Sequence, residues 1–198
     1  MAALASTGAV GQHGSMTGTD TGKDFARPLP PDPYSLLPVP STFALKSADL
    51  AEGEPLGVDF SVDGADVSPH LEWSGAPEGT RSYAVSCFDP DAPTPSGYWQ
   101  WNVVDVPAGV TSLDRGAGAA GGAGLPDGAF HVPSDGGRLG FEGAGPPPGD
   151  HPHRYVFAVH ALDVPTLGLS ESNSPAQVAF TVYFHVLARA TLTATYRR

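Results

Sequence analysis

Apolar and polar residues alternate along three segments in the first half of the chain, which is the pattern of β-strands with one buried face. These segments are STFALKS (41–47), PLGVDFSV (55–62) and RSYAVSCF (81–88). Two longer segments, YWQWNVVDV (98–106) and RYVFAVHALD (154–163), are apolar on both faces, as the central strands of a sandwich are. Glycine- and proline-rich turns separate the segments, so the pattern predicts an all-β core arranged as a sandwich.

One segment near the C-terminus has the signals of a helix. In SPAQVAFTVYFHVLARA (174–190), Ser174 suits the N-cap, Pro175 suits the first helical position and Gln177 completes a capping box. A β-branched run in its middle lowers the helix propensity and leaves a strand as the alternative. The capping signals favour a helix, followed by a last strand, ATLTATY (190–196).

The segment DRGAGAAGGAGLPDGAFHVPSDGG (114–137) is too rich in glycine for regular structure. It contains GAGAAG, which matches the G-x-G-x-x-G pattern of dinucleotide-binding proteins. That pattern requires a strand before it and a helix opening at it. Here a proline-containing turn precedes it and more glycine follows, so we expect a flexible loop rather than a phosphate cradle.

Residues 1–30 consist largely of small and polar residues, with hardly any large apolar side chains. Such a segment cannot repay the entropy cost of ordering a chain, and we predict a disordered tail followed by one domain over residues 31–198. The N-terminus lacks the basic and apolar regions of a signal peptide, and no run of about 18 apolar residues occurs. Stable membrane insertion is therefore not expected.

The formal net charge of −11 disfavours binding to nucleic acids, because their phosphates require a basic surface. Partners are expected to be neutral, cationic or small. Cys87 is the only cysteine, so an intramolecular disulfide is excluded. A reducing cytoplasmic location is the prediction that fits this cysteine usage.

Two proline-stiffened stretches carry most of the candidate binding groups. DPDAPTPSGYWQW (89–101) places Asp89 and Asp91 in a loop at a sheet end, where binding residues concentrate. Proline fixes φ, so this loop is stiff before any ligand arrives. Taken alone, the two carboxylates could equally cap the turn through its own backbone.

The second stretch, GFEGAGPPPGDHPHRYVFAVHALD (140–163), favours the binding interpretation. It places His151, His153 and Tyr155 where a loop enters a strand. Imidazole and phenol groups supply hydrogen-bond donors to an anion, while the carboxylates of the first stretch accept from ammonium groups. The two stretches together predict one site made by two loops.

At this point the chain resembles the phosphatidylethanolamine-binding proteins, in particular their bacterial and archaeal Raf kinase inhibitor-like branch. The segments that carry the resemblance are SPHLEWSGAPEGTRSYAVS (68–86), DPDAP (89–93), YWQWNVVDVP (98–107), GPPPGDHPHRYVF (145–157) and HVLARATLTATY (185–196). The resemblance extends from about Asp32 to Tyr196. It implies a sandwich of mostly antiparallel strands with a short C-terminal helix, and a small pocket that takes phosphate, acetate or a phospholipid head group.

The resemblance also implies which residues line that pocket. They are Asp89, Pro93, Gly145, Pro146, His153 and Tyr155, with Trp101 and Phe141 as further candidates. Gln100 stands where the family usually has a histidine; its amide can donate a hydrogen bond to a phosphate oxygen but cannot carry a charge. His153 is then the main titratable donor. A tight turn is implied at DAPTP, where we expect a cis Ala92–Pro93 bond.

The sequence thus predicts a non-catalytic binding protein for a small anionic ligand or phosphorylated head group. The resemblance leaves room for a protein partner, as an inhibitor or regulator of a kinase or protease. The alternative is a hydrolase-like enzyme that uses Asp89, His153 and Tyr155 as acid–base groups, although no catalytic motif occurs. No cofactor is predicted, and the oligomeric state is left open, a dimer included.

The H-x-H spacing of His151 and His153 is compatible with a metal site. This spacing can place two imidazoles on one face of a strand. No third ligand with matching spacing is found in the sequence, so no metal is predicted.

Overall fold

The computed structural model describes residues 26–39 and 41–198. Of the predicted tail over residues 1–30, residues 1–25 therefore lie outside the described residues. Within its last five residues, Arg27 forms an ion pair with Asp150 (Nη1–Oδ2, 2.9 Å). The segment from residue 26 onward thus contacts the rest of the domain.

Eight strands and one α-helix make up the regular structure of the described residues, together with two short 3₁₀ helices (Pro33–Leu36 and Val58–Phe60). The strands and the helix are β1 (Ala44–Lys46), β2 (Leu71–Ser74), β3 (Ser82–Asp89), β4 (Tyr98–Pro107), β5 (Ser112–Leu113), β6 (Phe130–Val132), β7 (His153–Leu162), α1 (Pro175–His185) and β8 (Val186–Tyr196). Five strands form a large antiparallel sheet in the order β6-β4-β3-β7-β8, and the other three form a small one, β1-β2-β5. The predicted β-dominated fold with a short helix is confirmed.

The main core lies between the two sheets. Trp73 of β2 and Leu113 of β5 pack there with Cys87, Trp101 and Phe157 of the large sheet. The other face of the large sheet packs on α1 in a second, smaller apolar cluster. Because both faces of the central strands are covered, every residue of β3 is buried.

Helix α1 begins as its capping signals predict. The Ser174 side chain accepts from the backbone N–H of Gln177, and the Gln177 side chain accepts from the N–H of Ser174. The helix ends earlier than expected, at His185, and β8 begins at Val186. From there the chain pairs with β7 along nearly its whole length, and this long-range ladder outweighs the helix propensity of VLARA.

The strand predicted over residues 55–62 is wrong. Val58–Phe60 is a 3₁₀ helix, closed by a hydrogen bond from the N–H of Ser61 to the carbonyl of Val58. Leu56 and Phe60 are buried, whereas Val58 and Val62 are about half exposed. The apparent alternation therefore does not describe a single buried face.

The glycine-rich segment over residues 114–137 is mostly turns, in agreement with the sequence. GAGAAG follows the two-residue strand β5 but does not open a helix, which a dinucleotide site requires. Its later part contains β6, which pairs with β4 and was not predicted. Among the described residues, no helix has the length and apolar character needed to cross a membrane.

Candidate functional site

The topology of the large sheet brings the two proline-stiffened stretches together. Strand β3 lies between β4 and β7 and is antiparallel to both, so the end of β3 lies beside the beginnings of β4 and β7. Asp89 is the last residue of β3 and His153 is the first of β7. The loop between β3 and β4 and the loop that precedes β7 therefore meet at one sheet end.

A cavity of about 270 Å³ lies between these loops. Six of the seven residues predicted from the resemblance line it: Asp89, Pro93, Gln100, Gly145, Pro146 and His153. Tyr98 and Glu142 line it as well, and sequence reasoning did not identify them.

The seventh predicted residue, Tyr155, belongs to the core between the sheets and is only 1% exposed. Its hydroxyl lies near Asp89 and Gly145 without a hydrogen-bond partner among the described residues. Burial, and then the charge of Asp89, raise the pKa of this phenol well above its ordinary value. Trp101 and Phe141 are also core residues, in edge-to-face contact with each other.

His153 lies between two buried carboxylates. Its Nδ1 is 2.7 Å from Oδ2 of Asp89, and its Nε2 is 3.0 Å from Oδ2 of Asp150. All three side chains are almost completely buried. Both ring nitrogens face carboxylate oxygens, an arrangement that favours the doubly protonated imidazolium. Nη2 of Arg27 also lies 3.4 Å from Nε2.

The pKa of His153 reflects this environment. Burial by itself lowers it, but the hydrogen bond and charge of Asp89, followed by those of Asp150, outweigh burial and raise the pKa above its ordinary value. Burial raises the pKa of Asp150, whereas His153 and Arg27 lower it by more, so the net shift is downward. The raised pKa of His153 favours the charged form of its ring.

Asp89 both caps the turn and contributes a carboxylate to the site, the two roles that the sequence left open. Its Oδ1 accepts from the backbone N–H of Asp91 at 2.8 Å, which closes the turn, while its Oδ2 binds His153. Asp91 is occupied by Arg154, whose Nε and Nη2 donate to its two oxygens at 2.8 Å each. Asp91 therefore holds the loop against β7 and does not line the cavity.

The expected cis bond at Ala92–Pro93 is wrong, since all peptide bonds of the described residues are trans. The N–H of Thr94 donates to the carbonyl of Ala92 at 2.7 Å, across Pro93. A hydrogen bond between residues two apart is that of a γ-turn, which makes the tight turn with a trans bond.

Glu142 is a second carboxylate in the cavity wall. Glu142 accepts from the Tyr98 hydroxyl at 3.0 Å and from the Ser134 hydroxyl at 2.6 Å. Burial, and then Glu142, raise the pKa of Tyr98 to about 12. Gln100, which also lines the cavity, is buried, and its Oε1 has no hydrogen-bond partner among the described residues.

Asp150, His151 and His153 bring three potential metal ligands within 4.8 Å of one another. Asp150 is the third ligand that the sequence search did not find, although it directly precedes the H-x-H pair. The donor set fits a cation poorly, because Arg27 already lies on Asp150 and both nitrogens of His153 face carboxylates. The prediction that no metal binds stays a prediction.

The chain is similar in sequence to a known protein family and to two bacterial relatives. A family model described as phosphatidylethanolamine-binding protein matches residues 46–197. YbhB of Escherichia coli is 45% identical over 159 residues, which is 77% of this chain and 98% of YbhB. YbcL of the same organism is 42% identical over 161 residues, which is 79% of this chain and 88% of YbcL.

The fold comparison gives the same result. The crystal structure of E. coli YbcL, a member of the mammalian PEBP family, matches with a TM-score of 0.78 at 41% identity, covering 80% of this chain and 99% of that one. The family match covers more than half of the chain, and both sequence relatives are well above 30% identity. The chain therefore belongs to the phosphatidylethanolamine-binding protein family.

Proposed function

We propose that the cavity between the two loops binds a small phosphorylated head group that also carries an ammonium group, and that the protein is a non-catalytic binding protein. The observation that carries the proposal is the mixed charge of the cavity wall. The His153 imidazolium lies on one side with Asp89, and the Glu142 carboxylate lies on the same cavity. A ligand with both charges matches this arrangement.

The two ends of such a ligand have separate partners in the wall. The side-chain amide of Gln100 can donate to a phosphate oxygen. His153, whose two ring nitrogens already face Asp89 and Asp150, can attract the phosphate only through its positive charge. The carboxylates of Asp89 and Glu142 suit an ammonium group. A free inorganic phosphate has only the first set of partners and meets two carboxylates, so we expect it to bind more weakly.

The same contacts support a binding role over the alternative hydrolase. A general base needs a free lone pair, but both nitrogens of His153 are directed at carboxylates. Tyr155 is buried in the core, and its raised pKa keeps the phenol protonated. His153 and Tyr155, two of the three groups of that alternative, thus offer no accessible proton acceptor.

The test is calorimetry with phosphoethanolamine, inorganic phosphate and ethanolamine near pH 6, on the parent protein and on His153→Gln. Phosphoethanolamine should bind more tightly than either half of the molecule. His153→Gln should weaken it by about 1 kcal/mol or more, because the variant removes the only cationic side chain among the described residues that line the cavity. His151→Gln, in the same loop but outside the cavity wall, is the matched control and should change little.

Two results would overturn the proposal. Inorganic phosphate that binds as tightly as phosphoethanolamine would exclude a role for the carboxylates. Equal affinities for the parent and His153→Gln would exclude the site.

A further inference from the structure

A second cavity, of about 140 Å³, lies on the other face of the large sheet, beneath α1. Its walls are mostly apolar. They include Val178 and Val182 of α1 and the rings of Phe88 and Trp99, whose centroids are 4.5 Å apart. Tyr34, from the first 3₁₀ helix, forms another wall. None of the residues that line this cavity lines the first cavity.

The floor of this cavity holds a buried positive charge. Arg189 is 8% exposed; its Nε donates to Nδ1 of His160 at 3.3 Å and its Nη1 to the carbonyl of Leu37 at 2.9 Å. Its guanidinium carbon lies 4.1 Å from the ring centre of Tyr34. None of the ion pairs among the described residues involves Arg189, although buried charges are normally paired.

The titratable groups around Arg189 do not neutralise it. Burial, and then the charge of Arg189, lower the pKa of His160 to about 3, so this imidazole is neutral. Burial lowers the pKa of Arg189 itself, against the opposing influence of Tyr34 and Asp32, which lie beyond ion-pair distance. Burial also raises the pKa of Tyr34, so its hydroxyl stays protonated and bonds to Ser86 at 3.3 Å.

An independent observation comes from Asn102, on β4. This residue is 1% exposed and lines the cavity, and its Nδ2 has no hydrogen-bond partner among the described residues. An unsatisfied buried amide destabilises the fold, and an acceptor placed in the cavity would recover that loss. The cavity therefore contains a cation without an anion and a donor without an acceptor, both inside apolar walls.

We propose that this cavity is a second binding site, and that it takes a small monocarboxylic acid with an apolar, ring-sized body. The carboxylate would pair with Arg189 and accept from Asn102, and the body would lie against Val178, Val182 and the aromatic pair. The size fits, because an engineered cavity of about 150 Å³ binds benzene. A neutral hydrocarbon would leave the guanidinium unpaired, and inorganic phosphate would leave the apolar walls unfilled.

The experiment is a ¹⁵N NMR titration of the full chain with benzoate as the probe and benzamide as its neutral match. Benzoate should shift the side-chain amide of Asn102 and the backbone amides of α1 around Val178 and Val182. Benzamide should bind at least about tenfold more weakly, since it lacks the charge that pairs with Arg189. Phosphoethanolamine at saturation should not displace benzoate, because the two cavities share no lining residue.

Three variants locate the probe. Ala179→Leu adds bulk to the helix residue that lines the cavity and should abolish the shifts. Ala176→Leu, an exposed position on the same helix and outside this cavity, is the matched control and should retain them. Arg189→Met should remove the preference for benzoate over benzamide, and its spectrum shows in the same experiment whether it is folded.

The proposal is overturned if benzoate shifts no signal beneath α1 or shifts only residues of the first site. It is also overturned if Ala179→Leu binds as the parent does, or if benzamide binds as tightly as benzoate. Because the readout lies on α1 and β4, its failure is separate from any failure of phosphoethanolamine binding.

Discussion

Asp89 ends β3 and His153 begins β7, and the 2.7 Å contact between them joins two residues that are 64 positions apart in the chain. The contact exists because β3 and β7 are antiparallel neighbours in the sheet. Asp150, three residues before His153, closes the other side of the ring. The site is thus built at the junction of two loops that the sheet itself aligns.

The Asp91–Arg154 pair should contribute substantially to stability. Asp91 is buried, and Arg154 donates to it from Nε, Nη2 and the backbone N–H, all at 2.8 Å. Asp91→Ala leaves the guanidinium without this partner and should lower the free energy of unfolding by about 3 kcal/mol. Urea denaturation near pH 7 measures this.

The chain offers a matched control for that variant. Asp163 pairs with His185 on the surface, and the Asp163 side chain is 49% exposed. Exposed pairs are worth between about 0 and 1 kcal/mol, so Asp163→Ala should change stability little. Equal losses for the two variants would contradict the role given to Asp91.

Gln100→His should strengthen binding of phosphoethanolamine at low pH. Gln100 lines the same cavity as His153 and has an unpartnered Oε1, so an imidazole there can add a second cationic donor. Calorimetry at about pH 5.5 and about pH 8 should show a larger affinity ratio for the variant than for the parent. Gln100→Leu, which keeps similar bulk without a donor, is the control and should bind more weakly at both pH values.

The strands and the start of the helix were predictable because their signals are local. The long apolar runs of β3, β4 and β7 and the Ser174–Gln177 capping box each lie within one element. The end of α1 was missed because β8 is stabilised by pairing with β7, a contact that no local pattern records. Residues 55–62 were misread because alternation over so short a stretch also fits a turn with two buried side chains.

The residues of the site also differ in whether local sequence could predict them. Asp89 and His153 stand in motifs that can be read from the chain, whereas Arg27 reaches Asp150 across 123 positions and Glu142 is partnered by Tyr98 across 44. No local sequence pattern predicts the second cavity, beneath α1. The sequence around Arg189 does not indicate that its guanidinium is buried without a carboxylate partner. This burial results from the packing of α1 and Tyr34 over the sheet.

Ser174→Ala should destabilise the protein by about 1 kcal/mol. The Ser174 hydroxyl accepts from the backbone N–H of Gln177, and alanine removes this cap from a helix whose buried face covers the second cavity. Ser172→Ala, in the exposed turn before the helix, is the control. Thermal unfolding of both variants is the measurement, and Ser174→Ala should have the lower melting temperature. The same melting temperature for the two variants would show that the cap does not stabilise the protein.

The charged state of His153 should make stability fall on the alkaline side. Its pKa in the folded protein is raised above the ordinary 6.5, so the stabilisation is fully present below pH 6.5 and is lost as the pH rises through the folded pKa. Asp150 acts in the opposite sense: its folded pKa lies below 3.8, so its contribution is present above that value and is lost only in acid. Between these limits both contributions are present.

The measurement is urea denaturation of the parent and of His153→Gln at about pH 5.5 and about pH 8.5. The parent should lose stability between the two values, because the imidazolium that pairs with Asp89 and Asp150 loses its proton. The variant has no group that titrates at this position, so its loss over the same interval should be smaller. Parallel losses in the two proteins would show that His153 is not the group responsible and would contradict a charged imidazolium at the centre of the site.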